Sequence, residues 1–338
     1  MLKVGLIGAG KMGISHLSIL GAHQDVEVVG ISDTSRLIVD ALQKYTPFPC
    51  FTDYHKMLEV TRPDAVFVAV PTKFHAMIIK ELLERNIHVF SEKPFCLSPE
   101  DGLPLIDLAR QRKVVNQVGY HNEFVGTFNE VKKIIDGGYL GTVTHFTGEA
   151  YGPVVLKKKQ DTWRSDPMQG GGCLMDYASH VLDLIQYLLK PVKEVHGTLM
   201  KSIYSTAVDD AIYSLLKLEN DVSGVLSVNW SDETYRKMST TITIIGSKGK
   251  IISDANELKI YFKGTDHPAG YSRGWNIRNI TDLTEPVNFN LRGEEYSAQV
   301  DYFINAVEGR VSNDRNTFQT SWFTDKAIDL IRKSSKLN

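Results

Sequence analysis

Gly8, Gly10 and Gly13 stand in a G-x-G-x-x-G spacing directly after the apolar run Leu2–Ile7. In such a turn the first glycine permits the tight bend. The second lets the backbone approach a pyrophosphate, and the third lets the following helix close onto the strand. The helix start at Lys11, Met12 and Gly13 then offers N–H groups and a positive dipole end to phosphate oxygens. Asp33 closes the next β-branched run, 20 residues after Gly13, where a carboxylate holds the hydroxyls of an adenosine ribose. Its charge opposes a 2′-phosphate and so favours NAD. Arg36 is near enough in sequence to reach such a phosphate, which leaves NADP open; a solvated charge on a helix face also accounts for it.

Lys93 lies in Glu92-Lys93-Pro94 at the end of a further apolar run. Ligands of doubly wound sheets bind at the carboxyl ends of strands, and a partly desolvated lysine there can exchange a proton with an alcohol. Most loop lysines are only solvated charges, and that reading competes. Asp176 and His180 are four apart on an expected helix and should share a face. There the carboxylate can orient the imidazole and stabilise its protonated form. A surface pair that merely supports the helix is the plain alternative.

The elements that must position these groups change character along the chain. In the first third, strand-like runs at 2–7, 26–32, 65–70, 88–91 and 114–119 alternate with helical stretches. These run from the glycine turn to 20 and over 35–45, 75–85 and 98–111, the last with Ser98 as N-cap. Such repetition implies a parallel, doubly wound sheet. After about residue 120 come helices at 127–136 and 173–189. Strand-like runs then follow one another at 192–199, 211–218, 222–230, 240–245, 250–253 and 258–262, with a hairpin turn at 246–249. This favours a largely antiparallel sheet. Helices at 298–307 and 317–333 close the chain. The expectation is an α/β chain. A Rossmann domain spans 1–121, and an α+β domain with a largely antiparallel open sheet spans 122–338, binding substrate and supporting oligomerisation.

The 338 residues exceed what one hydrophobic core usually serves. A formal net charge of −2 gives no basic footprint for nucleic acid or for a membrane surface. No apolar run approaches the ~18 residues of a spanning helix. The chain enters a strand at once, leaving no room for a signal peptide, so a cytoplasmic protein is expected. Cys50, Cys96 and Cys173 are far apart and form no CxxC. Neither a disulfide framework nor a metal site is indicated.

The segments GAGKMG at 8–13, PTKFH at 71–75, Glu92-Lys93-Pro94 and GGGCLMDYASHVLD at 170–183 resemble the glucose-fructose oxidoreductase / inositol dehydrogenase / MocA family. The resemblance runs from the first strand through the second domain, and E-K-P and D-x-x-x-H are its specific parts. It implies that Lys93 is catalytic, with a bond to Pro94 that is often cis and helps place the lysine. It also implies that Asp176 and His180 form the family's D-x-x-x-H pair. Pro71, Thr72, His75 and Glu92 join Lys93 on the cofactor side. Tyr120 and Asn122 are candidate substrate-lining residues, and Trp163 and Arg164 would close over cofactor or substrate; packing competes for Tyr120 and Trp163, and a turn for Asn122. The sequence departs from the family at Ala178, where glycine is usual. It departs again at Glu123, where an arginine often stands, so a substrate contact from that arginine does not carry over.

The implied reaction is reversible NAD(P)-dependent oxidation of a secondary alcohol on a sugar, a sugar derivative or a cyclic polyol. His180 would be the general base, Lys93 would hydrogen-bond the same oxygen, and Asp176 would fix the histidine and touch the substrate. An NAD-dependent glycosidase with transient oxidation and a non-enzymatic dinucleotide-binding regulator remain as alternatives. The complete Lys93, Asp176 and His180 set argues against the regulator. A homo-oligomer, dimer or tetramer, is implied by analogy. Lys157, Lys158 and Lys159 precede Trp163 and would attract a diphosphate or carboxylate, as in a nucleotide sugar or uronic acid, unless they are simply solvated.

Overall fold

The computed structural model describes residues 1–155, 162–287, 290 and 293–335. The chain divides into two compact units, Met1–Tyr120 with Val287–Trp322, and His121–Pro286 with Phe323–Asn338. Among the described residues no helix is long and apolar enough to cross a membrane.

In the first unit the strands are β1 (Leu2–Ile7), β2 (Val26–Ser32), β3 (Cys50–Phe51), β4 (Ala65–Val68), β5 (His88–Ser91) and β6 (Asn116–Val118). They form a parallel sheet in the order β3-β2-β1-β4-β5-β6. The order reverses between β1 and β4, and ligands of such sheets bind outside the strand ends at that switch. The helices are α1 (Lys11–Ala22), α2 (Arg36–Tyr45), α3 (Tyr54–Thr61), α4 (His75–Glu84) and α5 (Pro99–Arg112). The α5 N-terminus is capped as expected, with Ser98 Oγ accepting from the Asp101 N–H. Every residue of β4 is buried, because both sheet faces are covered. Val66 and Val68 enter one core with Ile79, Leu82 and Leu105. Ala65 and Phe67 enter the other with Leu17, Leu20 and Phe90.

That second core also contains Val300, Phe303 and Ile304. They belong to a late helix, Glu294–Val307, and Phe303 meets Phe67 and Phe90 edge-on at 5.4 and 5.8 Å. Residues 287–322 therefore fall with the first unit, whereas the sequence places all of 122–338 in the second domain. The reason is the apolar stripe of that helix, which finds its burial on the parallel sheet.

Among the described residues the second unit carries eight strands: β7 (Val143–Tyr151), β8 (Val192–Lys201), β9 (Ala211–Leu218), β10 (Ser223–Asn229), β11 (Ser239–Gly246), β12 (Gly249–Asp254), β13 (Glu257–Phe262) and β14 (Gly274–Asn279). Their order is β14-β13-β12-β11-β7-β10-β9-β8. All neighbours are antiparallel except β7 and β10. One face is covered by α6 (Gly126–Asp136) and by a longer helical segment that begins at Leu174. Gly148 of β7 lies directly under Val181 and Ile185 of that segment, so a side chain there would push the helix off the sheet. The segment is not one uniform helix, as expected over 173–189. It opens with a π-helical turn, Leu174–Ala178, and continues as α7 (Ser179–Leu188). The wider turn changes the phase between Asp176 and His180, so their spacing of four no longer implies α-helical stacking.

Candidate active site

The glycine turn has the form its sequence requires. Gly8 has φ +93°, and a Cβ there would press on the Ala69 carbonyl. A Cβ on Gly13 would run into the carbonyl of Gly8, whereas the space over Gly10 is open. The open side of Gly10 is the cradle a pyrophosphate needs. Gly10 is also the N-cap of α1 and places no side chain over the first turn, leaving the positive end of the helix to a phosphate. Asp33 is fixed beside this turn, with Oδ2 accepting from the Ala9 N–H at 2.8 Å and Oδ1 from the Ser35 N–H at 2.8 Å. These features fit a dinucleotide with an unphosphorylated ribose. Arg36 is 86% exposed and pairs with Asp40 at 3.8 Å, the solvated helix-face arrangement.

Pro71 leads into a 3-10 turn, Thr72–Phe74, beyond the carboxyl end of β4, and Thr72 is buried. His75 follows and is fully buried. Its Nδ1 lies 2.9 Å from the Pro94 carbonyl and 3.2 Å from that of Phe95, and its Nε2 lies 3.0 Å from the Val70 carbonyl. Burial pulls the ring below its ordinary pKa, against the three carbonyls and the charge of Glu92. The ring of His75 is thus enclosed by the backbone of its own unit.

Glu92 is likewise turned inward. Its Oε1 lies 2.6 Å from Nε2 of His16 on α1, and its Oε2 accepts from the Lys93 N–H at 3.3 Å. Burial alone would raise the Glu92 carboxyl. The His16 bond and the charges of His16 and Lys93 outweigh it and hold the group below its ordinary value. Helix α1, which supplies the phosphate end, is thereby bonded to the residue before Lys93. The Lys93–Pro94 peptide is cis, as the resemblance implies. Tyr120 is buried in the core that contains Val118 and Phe318, and its carbonyl accepts from Asn316 Nδ2 at 2.6 Å.

In the second unit Arg164 and Asp176 are paired. Arg164 Nε donates to Asp176 Oδ2 at 2.8 Å, a charge-assisted bond to a nearly buried carboxylate. The guanidinium also lies over the Trp163 ring, 4.6 Å from its centroid. The three glycines at 170–172 let the backbone pass closely. A Cβ on Gly171 would strike the Arg164 carbonyl, and one on Gly172, at φ +105°, would strike the Asp209 carboxylate. Asp209 Oδ2 in turn accepts from the Leu174 N–H at 2.7 Å, and its carbonyl accepts from the Cys173 N–H at 2.9 Å. Asp209 therefore holds the start of the helix that carries Asp176 and His180, and burial raises its carboxyl. His180 is buried, with its ring edge-on to His121 at 4.9 Å, and its carbonyl accepts from Asn122 Nδ2 at 3.4 Å.

His16, His121 and Asp209 were not legible as functional residues. A polar residue on the buried face of an otherwise apolar helix was the available signal for His16. Asp209 had none beyond an Asp-Asp pair ahead of a strand. Lys157, Lys158 and Lys159 lie outside the described residues.

Residues 2–120 match the NAD-binding Rossmann-fold model of an oxidoreductase family designated GFO/IDH/MocA, and residues 128–252 match that family's C-terminal domain. The D-glucoside 3-dehydrogenase of Escherichia coli is 31% identical over 56% of this chain and 54% of its own. The myo-inositol 2-dehydrogenase of Thermotoga maritima is 25% identical over 75% of each chain. A levoglucosan dehydrogenase solved with NADH superposes at a TM-score of 0.87 and 21% identity, over 99% of this chain and 97% of that one.

Proposed function

The chain belongs to the GFO/IDH/MocA oxidoreductases, an NAD-binding family, and on that premise we propose that it oxidises, reversibly, a secondary alcohol on a sugar, a sugar derivative or a cyclic polyol. A nucleotide sugar is included in that class. The observation that carries the reading is the state of Lys93. It follows a buried carboxylate tied to the phosphate-binding helix, at the carboxyl end of β5, where such sheets bind their ligands. Relatives named for a glucoside and for an inositol support the substrate class.

NAD, when bound, supplies the hydride acceptor. The first unit's part is binding and orientation, through Gly8, Gly10, Gly13, the α1 N-terminus and Asp33. Lys93 hydrogen-bonds the alcohol oxygen and stabilises negative charge as it develops there. His180 takes the hydroxyl proton, for which its ring must be neutral. Asp176 is paired with Arg164 and presents its carboxylate to substrate hydroxyls. Trp163 and Asn122 support Arg164 and the His180 backbone.

The test is NADH formation at saturating NAD across a panel of inositols, hexoses, glucosides and nucleotide sugars, run beside an assay for released aglycone. NADH formation with one of these classes is the expected result. Aglycone release without net NADH would move the reading to a glycosidase, and silence in both assays would overturn it.

We further propose that a second copy of the chain covers the outer face of the eight-stranded sheet. Leu199, Tyr213, Leu215, Ile245, Tyr261, Trp275 and Ile277 project there at alternate strand positions, all exposed. They fall in two groups, one on β8 and β9 and one on β11, β13 and β14, with β7 and β10 between them, and exposed apolar groups on an open sheet face suit contact with another copy.

A further inference from the structure

We propose that His75 is a positioning residue for Lys93. The inference rests on the catalytic reading of Lys93 given above. His75 sits at the start of α4, directly after the 3-10 turn Thr72–Phe74 that follows β4, and its ring is closed off from solvent. Both ring nitrogens face backbone carbonyls. Nδ1 serves the two residues that follow Lys93, with the Pro94 oxygen at 2.9 Å and the Phe95 oxygen at 3.2 Å. Nε2 faces the Val70 oxygen at 3.0 Å. The ring thus stands between the segment leaving β4 and the segment leaving β5, two strands adjacent in the sheet.

The chemistry explains why the position calls for histidine. Carbonyls emerging from the ends of parallel strands have no further strand partner, and buried acceptors left unpaired cost free energy. An imidazole carries a donor in a flat ring that fits between two backbones. With the proton on Nδ1, one N–H is shared by the Pro94 and Phe95 carbonyls; the Val70 carbonyl is served as well only when Nε2 also carries a proton. Those two peptide units are then fixed, and with them the direction in which the Lys93 side chain leaves the backbone. On the other side Lys93 is fixed by Glu92, whose carboxylate is bound to its N–H and to His16. The lysine is held by a histidine on each flank, one through Glu92 and one through Pro94 and Phe95. Displacements of about 1 Å at a reacting group can cost on the order of 10²-fold in rate, so a lost donor here should be read in turnover.

The experiment compares kcat, KM and NAD affinity in His75→Ala, Lys93→Met and the double variant. For His75→Ala the expected result is a fall in kcat of about 10- to 100-fold, with NAD affinity changed by less than about threefold. In the Lys93→Met background the same replacement should cost nothing further, because residues that act through one group are not additive. Added imidazole should restore part of the lost kcat, and N-methylimidazole, which has no N–H when neutral, should not. Should His75→Ala fail to fold, His75→Gln and His75→Leu replace it. The glutamine amide can donate to the same carbonyls and should keep most of kcat, whereas leucine fills the volume and should lose it. Unchanged kcat in His75→Ala, an equal loss on top of Lys93→Met, or rescue by both imidazoles would overturn the positioning role. Full turnover in Lys93→Met would instead overturn the reading of Lys93 itself.

Discussion

The proton chemistry proposed for this chain lies in two residues with distinct tasks, Lys93 and His180. Replacing Lys93 by Met should leave NAD binding nearly intact and lower turnover by about 10²–10⁴-fold, the span of a positioned acid–base group. Single-turnover kinetics on the folded variant would check this. The kcat/KM for oxidation should rise toward alkaline pH as the base loses its proton. His180→Ala should flatten that limb, and an intact limb would pass the base role to Lys93 alone. The cofactor preference is assigned by proposal to Asp33, whose carboxylate is fixed by two backbone N–H groups beside the glycine turn. Asp33→Ala should weaken NAD and favour NADP relative to it, which titration with both cofactors would show. Arg36, paired with Asp40 on the surface, should contribute little to either. The geometry of Gly8 and Gly13 and the place of Asp33 beside the turn were legible from sequence because they follow from backbone geometry and spacing alone. His75 and Glu92 were legible as motif members but not in the contacts their side chains make inside the unit. Whether a polar side chain turns toward ligand or into the protein depends on packing that spacing does not encode.

At the scale of elements, the tie between α1 and β5 has a pH signature. The Glu92 carboxyl is held below its ordinary value of 4.5. A carboxyl lowered by folding adds stability that is fully present above its unfolded pKa and is lost as pH falls through its folded one. Glu92→Gln should therefore cost roughly 1–3 kcal/mol at neutral pH. The gap to the parent should close as pH drops below 4.5, as followed by denaturant melts across pH. The start of the π-helical segment offers a second test. Asp209→Ala strips the Leu174 N–H of its acceptor and should cost about 0.5–2 kcal/mol, the range of a lost helix cap, while Asp209→Asn keeps an acceptor and relieves a buried charge. The first sheet apart from β3, and the sequence of strands from β8 to β13, were readable from pattern; β3, with two residues, was too short to register. β7 was not, because its inward positions include Gly148 and Ala150, too small to register as an apolar stripe. β14 was not either, since its large residues Trp275 and Ile277 point outward. The π turn was hidden because nothing in LMDYA sets it apart from an α-helical sequence.

On the whole-molecule scale, the proposed association through the outer face of the second sheet is open to a direct test. Trp275→Glu with Ile277→Lys should shift the mass seen by light scattering toward a single chain, with both units still folded. An unchanged mass would place the contact elsewhere. The division into units was half legible: the pattern change near residue 120 was visible, and the return of 287–322 was not, because an amphipathic helix does not announce which sheet it will cover. That return bears on how the molecule comes into being. During synthesis the six parallel strands are complete once Val118 has emerged, yet Phe67 and Phe90 lack the Phe303 that closes over them. The nascent Rossmann sheet must wait, with an aromatic face uncovered, until some 180 further residues have left the ribosome. A fragment ending at Tyr120 would therefore be an aggregation-prone intermediate, one that chaperones must shield, however complete its nucleotide-binding turn.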